Sequence, residues 1–224
     1  MQSPPDERQL QRIYSARFSG NAEYRTKVWK VLVTYFSRWF PGADAMLDLG
    51  AGYCEFINNV PARIRYAMDL NPDVHQLASR DVIVLQQDCA KPWPLPEGAL
   101  DVVFTSNFLE HLPDKSAVTA VLSHAYRSLK PGGRFVAVGP NIKHVPGAYW
   151  DFFDHYIPLT ELSLAEALSH CDFEIEARIG RFLPFTMAHG RYRHPLWMLR
   201  LYLVLPFVWR IFGKQFLVVG RKPG

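Results

Sequence analysis

Met46-Leu47-Asp48-Leu49-Gly50-Ala51-Gly52 reads as a short apolar strand running directly into a Gly-rich turn. Glycine at such a turn lets the backbone approach a ligand closely, and a helix starting beyond it presents free N–H groups. A tight strand-to-helix turn with no ligand would use the same glycines, so the turn takes its weight from two acids further along the chain. Asp69 closes the next apolar run about 20 residues on, where an acid can accept from both hydroxyls of a ribose. Asp88 closes the third, where its side chain or the backbone of Cys89 can meet an adenine edge. The glycine spacing narrows the nucleotide class. A dinucleotide fingerprint needs a third glycine where this chain has Glu55, an acid better suited to a ligand with a cationic end than to a pyrophosphate. A phosphate-binding P-loop is excluded because no Gly-Lys-Ser/Thr is present after the turn.

Outward from this turn, short apolar runs at Ala45–Leu49, Tyr66–Leu70, Val82–Leu85, Val102–Thr105 and Phe135–Val138 alternate with helical candidates around Tyr53–Val60, Val74–Ser79 and Ser116–Leu129. Apolar strands punctuated by helices predict a parallel sheet covered on both faces. Ahead of it, Tyr24–Phe40 has helical spacing that Pro41-Gly42 ends. Behind it, Leu162–His170 reads as a helix, and Phe173–Ile179 and Gln215–Gly220 read as strands. The 224 residues suit one domain. It divides into a helical cap (1–42), a core (43–180), a helical insertion (181–213) and a final strand (214–224). Cys54, Cys89 and Cys171 lack the spacing of a metal site or a disulfide framework and are expected to pack as small apolar residues.

The chain resembles the class I S-adenosylmethionine-dependent methyltransferases, particularly the group that includes small-molecule and sugar O-methyltransferases. The residues that carry the resemblance are Asp48-Leu49-Gly50-Ala51-Gly52, Asp69, Asp88, the run Asp101 to Leu112, and Leu129-Lys130-Pro131-Gly132-Gly133-Arg134. It covers roughly residues 40 to 180. It implies an α/β, Rossmann-like, doubly wound sheet of seven strands with the last strand antiparallel, an N-terminal helical lid and an insertion before that strand. It further implies that Asp48, Gly50, Ala51 and Gly52 hold the amino acid part of S-adenosylmethionine, Asp69 and Leu70 the ribose, and Asp88 and Cys89 the adenine, with Asn107 completing the cofactor set. Tyr14, Arg17, Tyr24 and Arg25 are placed to cover the cofactor, or to form an ordinary packed helix with snorkelling arginines.

Methyl transfer from a sulfonium is an in-line displacement, so the protein aligns the acceptor and, for a hydroxyl, removes its proton. Glu110, His111, His144, His155 and Tyr156 are the candidates. Glu110, His111 and His155 are favoured, because His111 follows the fourth strand and His155 the fifth, at the edge where doubly wound sheets bind ligands. Relatives with a Glu-x-x-Glu-His run and a later histidine hold a divalent ion. Here Asn107 replaces the first acid, which weakens a hard-cation site, and no metal is expected.

Charge is uneven: residues 1–176 carry a net −5, while beyond Glu176 there are nine basic residues and no acid. That end is built to meet something anionic or a membrane surface. Within it, Leu196–Phe212 is aromatic-rich and apolar, interrupted by Arg200, Pro206 and Arg210. A single crossing would separate two strands that should be neighbours, leaving burial as an acceptor cap or a membrane interface, with burial favoured. The N-terminus lacks secretory features, so a cytoplasmic protein, peripheral to the membrane's inner face if the interface holds, is expected. The leading expectation is O-methylation of a hydroxylated small molecule or a glycan. The alternatives are RNA methylation, for which the basic tail argues, and a non-catalytic cofactor-binding scaffold.

Overall fold

The computed structural model describes residues 22–185 and 194–224. Its centre is one seven-stranded sheet built from β1 (Ala45–Leu49), β2 (Ile64–Asp69), β3 (Val82–Gln86), β4 (Leu100–Ser106), β5 (Leu129–Pro140), β6 (Glu174–Ile179) and β7 (Gln215–Arg221). The order is β3-β2-β1-β4-β5-β7-β6. Strands β1 to β5 pair in parallel, and β7 lies antiparallel between β5 and β6. The expected α/β doubly wound sheet with an antiparallel last strand is what the chain forms.

Burial follows position in the sheet. β1 is buried along its whole length and β7 along all but its last residue, as strands covered on both faces must be. Edge strand β6 instead alternates, turning Glu174, Glu176 and Arg178 outward. Charges on an edge discourage pairing with another chain. One face carries α3 (Lys115–Ser128) and α4 (Glu161–His170) over Leu47, Leu49, Val103, Phe135 and Val218. The other carries α1 (Ala22–Phe36), α5 (Leu196–Val204) and α6 (Pro206–Phe212) over Met46, Phe104, Val136, Leu217 and Val219. Local chemistry starts α3 and α4: Asp114 caps α3 through the Ala117 N–H at 2.9 Å, and Thr160 and Ser163 form a capping box on α4. At the lower edge, one Asp101 carboxylate accepts from the N–H groups of Asp44 and Ala45 at 2.9 and 2.8 Å and from Lys130 Nζ at 2.7 Å, clamping β1, β4 and β5.

One helical expectation is corrected and another holds in shortened form. No α-helix follows the Gly-rich turn; the segment holds only a 3-10 turn at Ile57–Asn59. Cys54 has a left-handed φ of 56°, and Pro61 stands seven residues beyond it, leaving too short a stretch to propagate a regular α-helix. Val74–Ser79 likewise contributes a single turn, α2 (Val74–Leu77), which an extended Ala78 ends. The three cysteines are free and buried, as expected.

Candidate functional site

The parallel strands β1, β2 and β4 end at Leu49, Asp69 and Ser106 on one edge of the sheet, which gathers the candidate residues from three loops. The turn after β1 is held by backbone: the N–H groups of Gly50 and Ala51 both donate to the Met68 carbonyl, at 2.9 and 3.1 Å. Gly50 and Gly52 have φ of 69° and 51°, a region that favours glycine. The space a side chain at Gly50 would take is filled by the ring of Phe108, 2.2 Å from an ideal Cβ. Gly50 is therefore required by close packing of β4's loop as much as by any ligand.

Asp69 is almost fully buried at the tip of β2. Its Oδ2 accepts from the Gly52 N–H at 2.7 Å and its Oδ1 from the Asn71 N–H at 2.8 Å. Burial pushes its pKa up, and N–H groups from Asn71, Gly52 and Leu70 oppose the shift. Three N–H donors on a carboxylate with about four lone-pair sites leave acceptor capacity for a further donor. Asp48 lies beneath the turn rather than in it. Its carboxyl is enclosed, accepts the Ile57 N–H, and is pushed up to about 8 by burial. Glu55 is engaged by Arg25 of α1, whose Nε lies 2.6 Å from Oε1, and the same guanidinium sits 4.7 Å from the Tyr53 ring centroid. This pair fastens α1 across the Gly-rich turn, and Tyr24 of α1 donates to the His194 carbonyl at 2.8 Å. Tyr14 and Arg17 lie outside the described residues, as do His189, Arg191 and Arg193.

Beyond β3, Asp88 Oδ1 accepts the Ala90 N–H at 2.9 Å, and the buried Cys89 gives its carbonyl to Trp93 Nε1 at 2.8 Å. Burial pushes the Cys89 thiol up. Asn107, at the tip of β4, has a left-handed φ of 50°; its N–H donates to the Val138 carbonyl and its Nδ2 to Ser106 Oγ.

The fold brings Glu110, His111 and His155 together: one potential ligand atom from each lies within 4.8 Å of the others. The loop 141–160 carries His155 back over β4's loop. Its register is fixed by the N–H groups of Tyr156 and Ile157, which both donate to the Glu110 carbonyl at 2.9 and 3.2 Å. The His111 and His155 rings meet edge to face at 4.8 Å, and Phe152 stacks on His155 at 4.9 Å while Tyr149 approaches it at 4.6 Å. His111 Nδ1 lies 2.9 Å from the Asp154 carbonyl and 3.2 Å from Asp154 Oδ2. Those acceptors fix the proton on Nδ1 and leave Nε2 as the basic nitrogen. Burial works to lower the His111 pKa, but Asp154 and Glu110 outweigh it and the net direction is up. Burial pushes the enclosed Glu110 carboxyl up, opposed by His111. The His111 charge also reaches Asp69, tying the cluster electrostatically to the tip of β2.

Of the remaining candidates, Tyr156 packs against the core. His144 is not a member of the cluster; burial and then Arg181 lower its pKa. Asp154, Tyr149 and Phe152 are neighbours of the cluster that sequence reasoning does not single out as candidates. Their only signal is a place in the aromatic run preceding His155.

Residues 47–137 match the methyltransferase domain family. The chain is 34% identical over 103 residues to a probable S-adenosylmethionine-dependent methyltransferase of Mycolicibacterium smegmatis, a match covering 45% of this chain and 39% of that protein. The chain thus spans well under half the length of that curated relative. Among solved structures, an S-adenosylmethionine-dependent methyltransferase from Archaeoglobus fulgidus superposes with a TM-score of 0.67 at 19% identity, covering 95% of this chain and 99% of that one. A Haloferax volcanii methyltransferase in complex with the Trm112 methyltransferase activator gives 0.64 at 18%, covering 88% and 91%. These structural likenesses show the fold.

The Mycolicibacterium smegmatis relative is named for S-adenosylmethionine, and the residues of this edge can be tested for their fit to that group. Asp69 offers a fixed carboxylate with acceptor capacity left for a hydroxyl donor, whereas beyond β3 the Ala90 N–H and the Cys89 carbonyl are already engaged within the loop. Asp48, held near 8 where no cation compensates its burial, suits a ligand that brings positive charge.

Proposed function

We propose that this chain is an S-adenosylmethionine-dependent methyltransferase that O-methylates a hydroxylated small molecule or a glycan. The observation that carries the reading is His111, its Nδ1 turned to Asp154 and its Nε2 left as a base, on the same sheet edge as Asp69. When bound, S-adenosylmethionine supplies an electrophilic methyl group. Asp69, with Leu70, would bind the ribose hydroxyls; Asp88 and Cys89 would bind the adenine; and Asp48, Gly50, Ala51, Gly52 and Asn107 would shape the site around the rest. His111 Nε2 would take the acceptor hydroxyl's proton as the oxygen–carbon bond forms and the sulfur–carbon bond breaks. Asp154 holds the ring's tautomer and stabilises the imidazolium that results. His155, packed between Phe152 and Tyr149, forms the wall against which an acceptor would be aligned.

His111→Ala should lower turnover at least about a hundredfold while leaving S-adenosylhomocysteine affinity nearly unchanged in calorimetry. His155→Ala should act in the same direction through alignment. Near-full turnover in both variants would remove the base assignment. Absence of S-adenosylhomocysteine binding by the unaltered protein would remove the enzyme reading altogether.

The grouping of Glu110, His111 and His155 favours a second reading, in which these three hold a divalent ion that orients the acceptor. An imidazole whose other nitrogen faces a carboxylate is a common ligand arrangement. Turnover insensitive to EDTA excludes the ion, and loss restored by one added divalent metal establishes it. RNA methylation remains the competing substrate class; steeply salt-dependent binding of an RNA oligonucleotide would favour it.

A further inference from the structure

We propose that the α5–α6 hairpin is a docking surface that seats this protein on an anionic phospholipid bilayer. The sequence favours burial of this segment, and the structure buries one side of it and leaves the other exposed. Of the eleven large hydrophobic side chains left exposed among the described residues, seven fall here: Trp197, Met198, Leu201, Val204, Phe207, Ile211 and Phe212. Contiguous exposed apolar surface of this kind marks an interaction site. On α5, Trp197, Leu201 and Val204 recur at helical spacing along one stripe; on α6, Phe207 and Ile211 do the same. Each helix also carries an exposed arginine, Arg200 on α5 and Arg210 on α6.

The hairpin's other side is firmly held. Leu203 and Trp209 are buried, Trp209 meets Tyr35 and Phe182 edge to face at 6.2 and 5.2 Å, and its Nε1 donates to the Tyr202 carbonyl at 2.7 Å. Tyr202 in turn donates its hydroxyl to the Phe182 carbonyl. The outward face is therefore presented on a rigid support.

Charge selects the occupant. No acid occurs after Glu176, and Arg181, Arg200, Arg210 and Lys214 lie on or beside the hairpin. A second copy docked about a twofold axis would set this patch against itself, arginine against arginine, with no acid in the segment to answer. A bilayer interface satisfies both parts at once, accepting aromatic and aliphatic side chains at the acyl boundary and cations among its headgroups. No helix among the described residues is long and apolar enough to cross a membrane, and Pro206 separates the two short helices, so the hairpin would lie in the interface. It also leaves the sheet where Gln215 pairs with Pro140, at the edge that carries the candidate site. The inference does not depend on methyl transfer, since vesicle binding and turnover are separate readouts.

The test is co-sedimentation of the full chain with phosphatidylcholine vesicles and with vesicles of equal parts phosphatidylcholine and phosphatidylglycerol, at low and high salt. The expected result is binding to the anionic vesicles alone at low salt, weakened by added salt. Arg200→Glu with Arg210→Glu should weaken it at least about tenfold. Trp197→Ser with Phe207→Ser and Ile211→Ser should weaken it comparably with an unchanged circular dichroism spectrum, these positions being exposed. The idea is overturned by failure to pellet with anionic vesicles, or by variants that pellet like the unaltered chain. It is equally overturned by a dimer that the apolar triple variant dissolves while vesicles are ignored.

Discussion

Asp48 sits in the motif that the sequence reads most easily, yet its surroundings could not be foreseen there. The carboxyl is enclosed under the Gly-rich turn, and burial raises its pKa from 3.8 to about 8. The folded chain thus retains a proton that the unfolded chain releases, so stability declines as pH rises from about 4 to about 8 and levels off above that. Asp48→Asn removes the titration while keeping the shape. In the cofactor-free protein, its advantage in melting temperature over the unaltered chain should grow between pH 5 and pH 8. A difference that stays constant across that range would show the carboxyl to be ionised throughout.

At the scale of elements, the insertion offers a contrast between two tryptophans on one hairpin. Trp209 is buried against Tyr35 and Phe182, and Trp197 is exposed. Trp209→Ala should cost about 3–5 kcal/mol in urea unfolding, whereas Trp197→Ala should stay within about 0.5 kcal/mol. Equal losses would mean that the outward stripe is packed against protein. The strands were legible because central parallel strands are apolar on both faces, and Met46–Leu49, Val102–Thr105 and Phe135–Val138 show it in their composition alone. The residues at or just beyond the ends of β2 and β4, Asp69, Glu110 and His111, could be placed on one edge by topology. What a single sequence lacks is the long-range partner. Asp154 lies 43 positions from His111, Arg25 lies 30 from Glu55, and neither pairing has a local pattern. Composition likewise records that Leu196–Phe212 is apolar and says nothing of which side faces the core.

For the molecule as a whole, the Asp101 clamp ties three strands at the edge opposite the candidate site. Burial resists its ionisation, but Lys130 and the N–H groups of Ala45 and Asp44 prevail, and its pKa is lowered from 3.8. Its stabilisation is therefore complete above the ordinary carboxylate range and is lost as pH falls through the depressed folded value. Asp101→Asn should cost about 1–3 kcal/mol at neutral pH and flatten the acid limb of the stability profile. An acid limb unchanged by the substitution would assign it to other carboxylates.

The placement of β7 between β5 and β6 also bears on the order in which the chain can assemble. Among the described residues β6 pairs only with β7, and β7 comes from residues 215–221, more than thirty positions after β6 ends. A nascent chain that has emerged as far as Ile179 can zip β1 to β5 together in parallel, but β6 must wait, its backbone groups left to water, until the hairpin has passed and β7 slots in from the far side. The last contacts to form are of long sequence separation, which makes them slow to gain. They also bring the hairpin to its seat, so the exposed aromatic face and the completed sheet arise in the same closing step.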